Sequence, residues 1–205
     1  ILKEDSQARV ACETLVKTGM VLVAGEITTN AYIEIPDVVR QTVKEIGYDS
    51  SEVGFDYHTC AVLAAVSKQS ADIDDAVTED KTKGKDLGAG DQGIMFGYAS
   101  NETKSYMPLP IDLARKICLR AAEVRQNGEI SWLRPDGKAQ VTIEYEGARP
   151  ARVHTVVVSL QHSPNVTHRQ IEQEVKEKIV KPVLPAALVD KNIVYHINPS
   201  GRFVI

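Results

Sequence analysis

One stretch has the spacing for a familiar chemistry. Gly88-Ala89-Gly90-Asp91-Gln92-Gly93 satisfies G-x-G-x-x-G, the pattern that cradles a dinucleotide pyrophosphate. That chemistry needs a buried strand before the glycines and a helix after them, because the helix N-terminus holds the anion. The flanks refuse both. EDKTKGKDL precedes, which no buried strand tolerates, and Phe96-Gly97-Tyr98 follows, a poor helix start. A phosphate loop of the Walker type fails as well, since no Gly-Lys-Ser/Thr follows. What remains is a tight, glycine-permitted turn around one carboxylate, Asp91. A nicotinamide or flavin oxidoreductase would require the backbone course that these flanks deny.

Other chemistry-bearing residues read modestly by themselves. Pro135-Asp136-Gly137-Lys138 is a turn signal with a solvated lysine. Glu13 is a charge on an exposed strand face, and Phe203 a core residue. The histidines have no metal-ligand spacing, and His154, His162 and His196 lie in strand-like runs that suggest structural roles. Cys12, Cys60 and Cys118 are far apart with no CxxC, which predicts reduced, buried thiols in a cytoplasmic protein.

A net charge of −4 with no Lys/Arg block disfavours a nucleic-acid partner. No run of 18 apolar residues occurs, so neither a membrane span nor a secretory signal is expected. The chain starts ILKEDSQARVAC and ends RFVI, and an apolar end reads as a strand cut in mid-course, hence a fragment of a longer polypeptide.

The elements that must position these groups follow from periodicity and punctuation. Residues 9–29 predict two strands joined at Lys17-Thr18-Gly19. A helix follows, with Pro36 in its first turn and Gly47 as its C-terminal cap. TCAVLAAVSKQS predicts a strand buried on both faces, and residues 70–87 a charged loop, either a lid or a linker. IMFGYAS looks strand-like. Residues 110–127 predict a helix with Leu113, Ala114, Ile117, Ala121 and Val124 on its apolar face. SWLRPDGK predicts a turn, and AQVTIEYEG and ARVHTVVVSLQHS two strands. Thr167 and Gln170 form a capping box for a helix carrying Ile171, Val175 and Ile179. NIVYHINP and RFVI complete the set as strands. Residues 9–69 and 139–198 thus both run hairpin, helix, strand. The fold class is α+β, two similar domains of antiparallel or mixed sheet with helices on one face.

With these elements in place, GAGDQGIMFGYA resembles the signature hexapeptide and following strand of S-adenosylmethionine synthetases (methionine adenosyltransferases). ARVACETLVKTGMVLVAGEITT, EIGYDSSEVGFD, CAVLAAVSKQS, AEVRQNGEISWLRPDGKAQVT and NPSGRFVI are similar to successive segments of that family, in order. The resemblance implies a transferase in which methionine sulfur attacks C5′ of ATP. The expelled triphosphate is then hydrolysed to pyrophosphate and phosphate. It implies two Mg²⁺ and one K⁺, a homodimer or tetramer with active sites between subunits, and three similar domains about a pseudo-threefold axis. On this chain it implies an N-terminal synthetase domain over 1–70, an active-site loop over 71–87 and the central domain over 88–205.

Carried over residue by residue, the resemblance gives Glu13 the K⁺-associated role. It gives methionine binding to Glu26, Gln69 and Asp91. It gives ATP contacts to Asp136, Lys138, Ser200, Gly201, Arg202 and Phe203, with Lys138 meeting phosphate catalytically. The family often has a larger residue at Gly137. The family's GHPDK segment, with its catalytic histidine, and the segments after GRFVI that supply further phosphate-binding Arg and Lys are not in these 205 residues. The expectation is therefore that the chain alone is inactive. The alternative is a non-catalytic nucleotide-binding or subunit-pairing fragment or paralogue.

Overall fold

The computed structural model describes residues 1–68, 84, 88 and 93–204. It forms two compact units, Ile1–Phe96 and Gly97–Ile205.

In the first unit, β1 (Arg9–Lys17) and β2 (Met20–Thr28) form the expected hairpin, turning at Gly19 with φ 81°. The helix α1 (Ile35–Ile46) carries Pro36 in its first turn and stops at Gly47, whose φ of 105° suits a left-handed cap that a side chain would strain. Two short strands, β3 (Asp49–Ser50) and β4 (Phe55–Asp56), pair before β5 (Ala61–Ser67). β5 runs parallel to β2, giving the order β1-β2-β5. Val21 and Val23 of β2 pack against Val43 of α1, with Val39, Tyr48 and Phe55 around them. The apolar run in β5 is not buried on both faces. Leu63 is 49% exposed, because β5 is an edge strand with α1 on one side only. Of the three cysteines only Cys60 is buried; Cys12 and Cys118 are exposed, Cys12 because it rides on the other edge strand, β1.

The second unit repeats the plan. The helix α2 (Leu109–Gln126) buries the face predicted for it, with Ile117 and Val124 fully enclosed. Each such side chain is worth roughly 1.5–3 kcal/mol of burial. β6 (Leu133–Glu146) and β7 (Arg149–His162) form a long hairpin around Gly147, and β8 (Val194–Ile197) adds parallel to β7. Between them α3 (His168–Glu174) starts at Thr167, whose hydroxyl accepts the Gln170 N–H at 3.3 Å, completing half of the predicted box. The helix widens to π geometry over Val175–Val180, so that Val175, Ile179 and Val180 all face the core.

Three sequence expectations give way here. IMFGYAS is irregular and largely exposed, with Phe96 at 95%, and pairs with no strand among the described residues. Arg202–Val204 of RFVI form no strand, although Phe203 makes one backbone hydrogen bond to β7, and Ile205 lies outside the described residues. SWLRPDGK is not a simple turn, since Leu133 onward belongs to β6. The strand absorbs its proline by a bulge, the usual place for a residue without an N–H.

The segment leading into α2 is anchored by Glu102. Its carboxylate accepts the Leu109 N–H at 3.0 Å, the Tyr145 hydroxyl at 2.7 Å and the Ser100 hydroxyl at 2.9 Å. The Leu109 N–H and then the two hydroxyls hold the Glu102 carboxyl below its usual range. Desolvation, reinforced by Glu102, pushes the Tyr145 phenol up to about 12.

Candidate functional site

In the first unit the strand register decides which side chains share a face. Glu13 pairs with Ala24 and Glu26 with Ala11, so the two carboxylates are diagonal neighbours across the hairpin. They lie on the face opposite Val21 and Val23, and so away from α1. Both are exposed, and neither makes an ion pair among the described residues. Gly25 sets the approach of the strands beside Glu26. A Cβ there would lie 2.0 Å from the Ala11 carbonyl oxygen, and φ is +144°. Two carboxylates on one sheet face, with no ion-pair partner among the described residues, suit a cation: an ammonium or a monovalent metal ion. Gln69 and Asp91 lie outside the described residues, as does the 71–87 loop apart from Gly84.

In the second unit the end of β7 gathers the expected nucleotide-binding residues. Leu133 pairs with His162 and Gly137 with Leu160, so β6 takes four steps where β7 takes two. The three residues Arg134–Asp136 bulge opposite the single residue Gln161, and the strand resumes with Lys138 opposite Ser159. The bulge leaves Asp136 and Lys138 exposed at the strand edge. Gly137 is tightly placed, since a Cβ would meet Leu160 Cδ2 at 2.5 Å. A larger residue there requires Leu160 to move, and a cavity of about 60 Å³ bounded by Leu160, Pro135 and Ala121 adjoins it.

On the other edge of β7 the chain after β8 folds alongside. Asn198 has φ 44°, which asparagine tolerates better than most residues, and it is 1% exposed. Its N–H donates to the Val158 carbonyl at 2.8 Å. Its side-chain oxygen accepts the Leu160 N–H, and its amide nitrogen donates to the Leu160 carbonyl, both at 2.9 Å. The side chain thus substitutes for a neighbouring strand. Gly201, with φ 85°, closes the turn by donating to the Asn198 carbonyl at 2.8 Å. His162 then fixes Phe203 twice. The His162 N–H donates to the Phe203 carbonyl at 2.9 Å, and the Phe203 N–H donates to His162 Nε2 at 3.0 Å. With Nε2 accepting, the proton sits on Nδ1, 2.8 Å from the Ser163 carbonyl. Ser200 and Arg202 are exposed, while Gly201 and Phe203 are half-buried.

Asp136, Lys138 and Ser200–Phe203 are therefore brought to one end of one strand. Glu13 and Glu26 are brought together on the sheet of the other unit. The residues that do the gathering, Gln161, His162 and Asn198, were not singled out as site residues by sequence reasoning. Asn198-Pro199, a turn signal directly after an apolar strand, was the available clue. Among the described residues no group of three or more His, Cys, Asp or Glu side chains is arranged to hold a metal ion. No helix among them is long and apolar enough to cross a membrane.

Residues 1–71 match the family described as S-adenosylmethionine synthetase, N-terminal domain, and residues 86–203 the family described as S-adenosylmethionine synthetase, central domain. The chain is similar over its full length to proteins named S-adenosylmethionine synthase. Identity is 55% to that of Sorangium cellulosum, of which the chain covers 49%. It is 53% to that of Clostridium tetani, covering 54% of it, and 52% to that of Syntrophobacter fumaroxidans, covering 53%. The chain spans about half the length of the curated relatives it matches.

Proposed function

Because this chain belongs to the S-adenosylmethionine synthetase family, we propose that it forms part of a methionine adenosyltransferase. The reaction is an in-line displacement. A lone pair of the methionine sulfur forms the S–C5′ bond as the C5′–O bond breaks, and triphosphate leaves with that electron pair, later to be hydrolysed to pyrophosphate and phosphate. Sulfur needs no activation, so the protein's work is alignment and neutralisation of the leaving group.

In this reading Glu26, Gln69 and Asp91 grip methionine, the two carboxylates facing its ammonium. Asp136 accepts from the ribose hydroxyls. Lys138 meets phosphate as a point charge. Ser200 and Gly201 border the base, Phe203 stacks on it and Arg202 reaches base or phosphate. Glu13 would hold K⁺, for which its unpaired carboxylate beside Glu26 is suited. Two Mg²⁺ would supply charge neutralisation of the triphosphate in the complete enzyme. Residues 71–87 act as the active-site loop between domains 1–70 and 88–205. The complete protein has three domains and works in the cytoplasm as a homodimer or tetramer with sites between subunits.

The observation that carries the reading is the gathering of Asp136, Lys138 and Ser200–Phe203 at the end of β7. The test is calorimetry of the chain with ATP and with methionine, beside a turnover assay. Binding of ATP that weakens in Lys138→Met, with no turnover by the chain alone, is expected. S-adenosylmethionine formation by the purified chain would refute the claim of inactivity. ATP binding indifferent to Lys138 would refute the site.

A further inference from the structure

We propose that Gln161 is a positioning residue for the nucleotide, latching the Asp136 bulge to the Ser200–Val204 segment. The inference rests on the reading of those two segments as the ATP contacts. Gln161 itself touches neither as a ligand would; it is 4% exposed, within the end of β7.

Its amide spans the two segments. The Asp136 N–H donates to the Gln161 side-chain oxygen at 3.4 Å. The Gln161 amide nitrogen donates to the Val204 carbonyl at 3.0 Å. The bulge explains the need. Arg134–Asp136 stand opposite one residue, so the Asp136 N–H has no place in the ladder to β7 and turns to a side chain instead. Val204 lies past the last strand, alongside the end of β7. The two partners also determine the orientation of the amide, since an N–H can only donate and a carbonyl can only accept. Glutamate would lack the donor and lysine the acceptor. A neutral amide of this length offers both at once.

The consequence is mutual register. Asp136 and Lys138 sit on one edge of β7, Ser200–Phe203 on the other, and Gln161 is the residue whose side chain reaches both sides. His162 fixes Phe203 alone and Asn198 fixes the turn alone, so neither couples the ribose and phosphate contacts to the base contacts.

The test uses the 205-residue chain, with Gln161→Leu, which removes both bonds, and Gln161→Glu, which keeps the acceptor and loses the donor. ATP affinity is measured by calorimetry where each variant is fully folded, and backbone amide shifts and hydrogen exchange are followed by NMR. Gln161→Leu should bind ATP about tenfold more weakly, the effect of losing roughly one buried hydrogen bond's worth of preorganisation. In Gln161→Glu the Asp136 amide should stay protected and the affinity should fall between the other two. A merely structural role would lower the unfolding midpoint and leave the affinity of the folded protein unchanged, and that result overturns the proposal while the nucleotide reading stands. If ATP perturbs no amide of 136–138 or 200–204 in the unsubstituted chain, the nucleotide reading fails and the proposal with it. Exchange at Asp136 then still reports whether the latch exists.

Discussion

Replacing Asn198 tests whether a side chain can serve as a strand neighbour. Its amide makes two hydrogen bonds of 2.9 Å to the Leu160 backbone, and the residue is 1% exposed, so no water replaces them. Asn198→Ala deletes both and orphans the Leu160 N–H and carbonyl. Each bond is worth about 1 kcal/mol net, and an orphaned buried group costs about 1–3 kcal/mol. Holding alanine at the φ of 44° adds about 1 kcal/mol. The expected loss is about 3–7 kcal/mol by urea unfolding of the second unit, with Asn198→Gly about 1 kcal/mol less damaging because glycine accepts that φ. Asn198→Asp is the sharper probe. One carboxylate oxygen still accepts the Leu160 N–H, but the other faces the Leu160 carbonyl, acceptor against acceptor. A protonated carboxyl donates there instead. The folded state therefore favours the protonated form and raises the group's pKa above its unfolded value. The sign follows: stability is regained below about pH 4 and lost as pH rises through the folded pKa. The deficit of Asn198→Asp relative to the unsubstituted chain should shrink in acid. A deficit constant from neutral pH to acid, or an Asn198→Ala loss under about 1 kcal/mol, would show that the amide is not a strand surrogate.

Two further outcomes follow from the geometry. Gly25→Ala places a methyl 2.0 Å from the Ala11 carbonyl oxygen at a φ of +144°, so β1 and β2 must separate there. Amide protection along both strands should collapse while that of Val156 and Val158 in the other unit persists; retained protection at Ala11 and Cys12 would contradict the contact. Glu102 is held below its usual pKa by Leu109, Tyr145 and Ser100, so its contribution is present above the unfolded value and lost as pH falls through the folded one. Its partner Tyr145, raised to about 12, contributes fully below the unfolded tyrosine value and loses that contribution as pH rises towards 12. Ultraviolet titration of the chain and of Tyr145→Phe should assign the latest-ionising phenol to Tyr145, and an ordinary titration there would remove the Glu102 bond from the account.

The local signals were legible because their causes are local. Pro36 with Gly47, and Thr167 with Gln170, delimit helices through the chemistry of the first and last turns. The hairpin at Gly19 and the buried face of α2 follow from conformational freedom and periodicity. Signals failed where distant pairing overrode them. Pro-Asp-Gly favours a turn in isolation, yet 14 residues of β7 hold Arg134–Lys138 within a bulged strand. The apolar run of β5 has the composition of a central strand and lies at an edge, which no window of sequence can register. Candidate site residues emerged only through family resemblance, because a lone Glu13 or Asp136 has an ordinary exposed environment that composition cannot distinguish from any other.

The shared topology explains why those particular positions matter. In each unit the middle strand pairs antiparallel with the strand before it and parallel with the one after the helix: β1-β2-β5 and β6-β7-β8. The proposed contacts fall on matching places. Glu13 lies at the middle of the first strand of its unit, and Asp136 with Lys138 in the first half of the first strand of theirs. Glu26 and the Ser159–His162 run lie towards the end of the middle strand. Gln69 and Ser200–Phe203 follow the end of the third, parallel strand in the chain. A strand's carboxyl end is where the following chain leaves the sheet, so side chains there are free to vary without disturbing the core. The same corner carries paired carboxylates in one unit and a lysine, an arginine and an aromatic ring in the other. The first charge pattern suits an ammonium or a potassium ion, and the second a nucleoside triphosphate. Under the proposed function, one repeated scaffold would supply opposite halves of a single reaction, and the division would lie in the side chains and not in the fold.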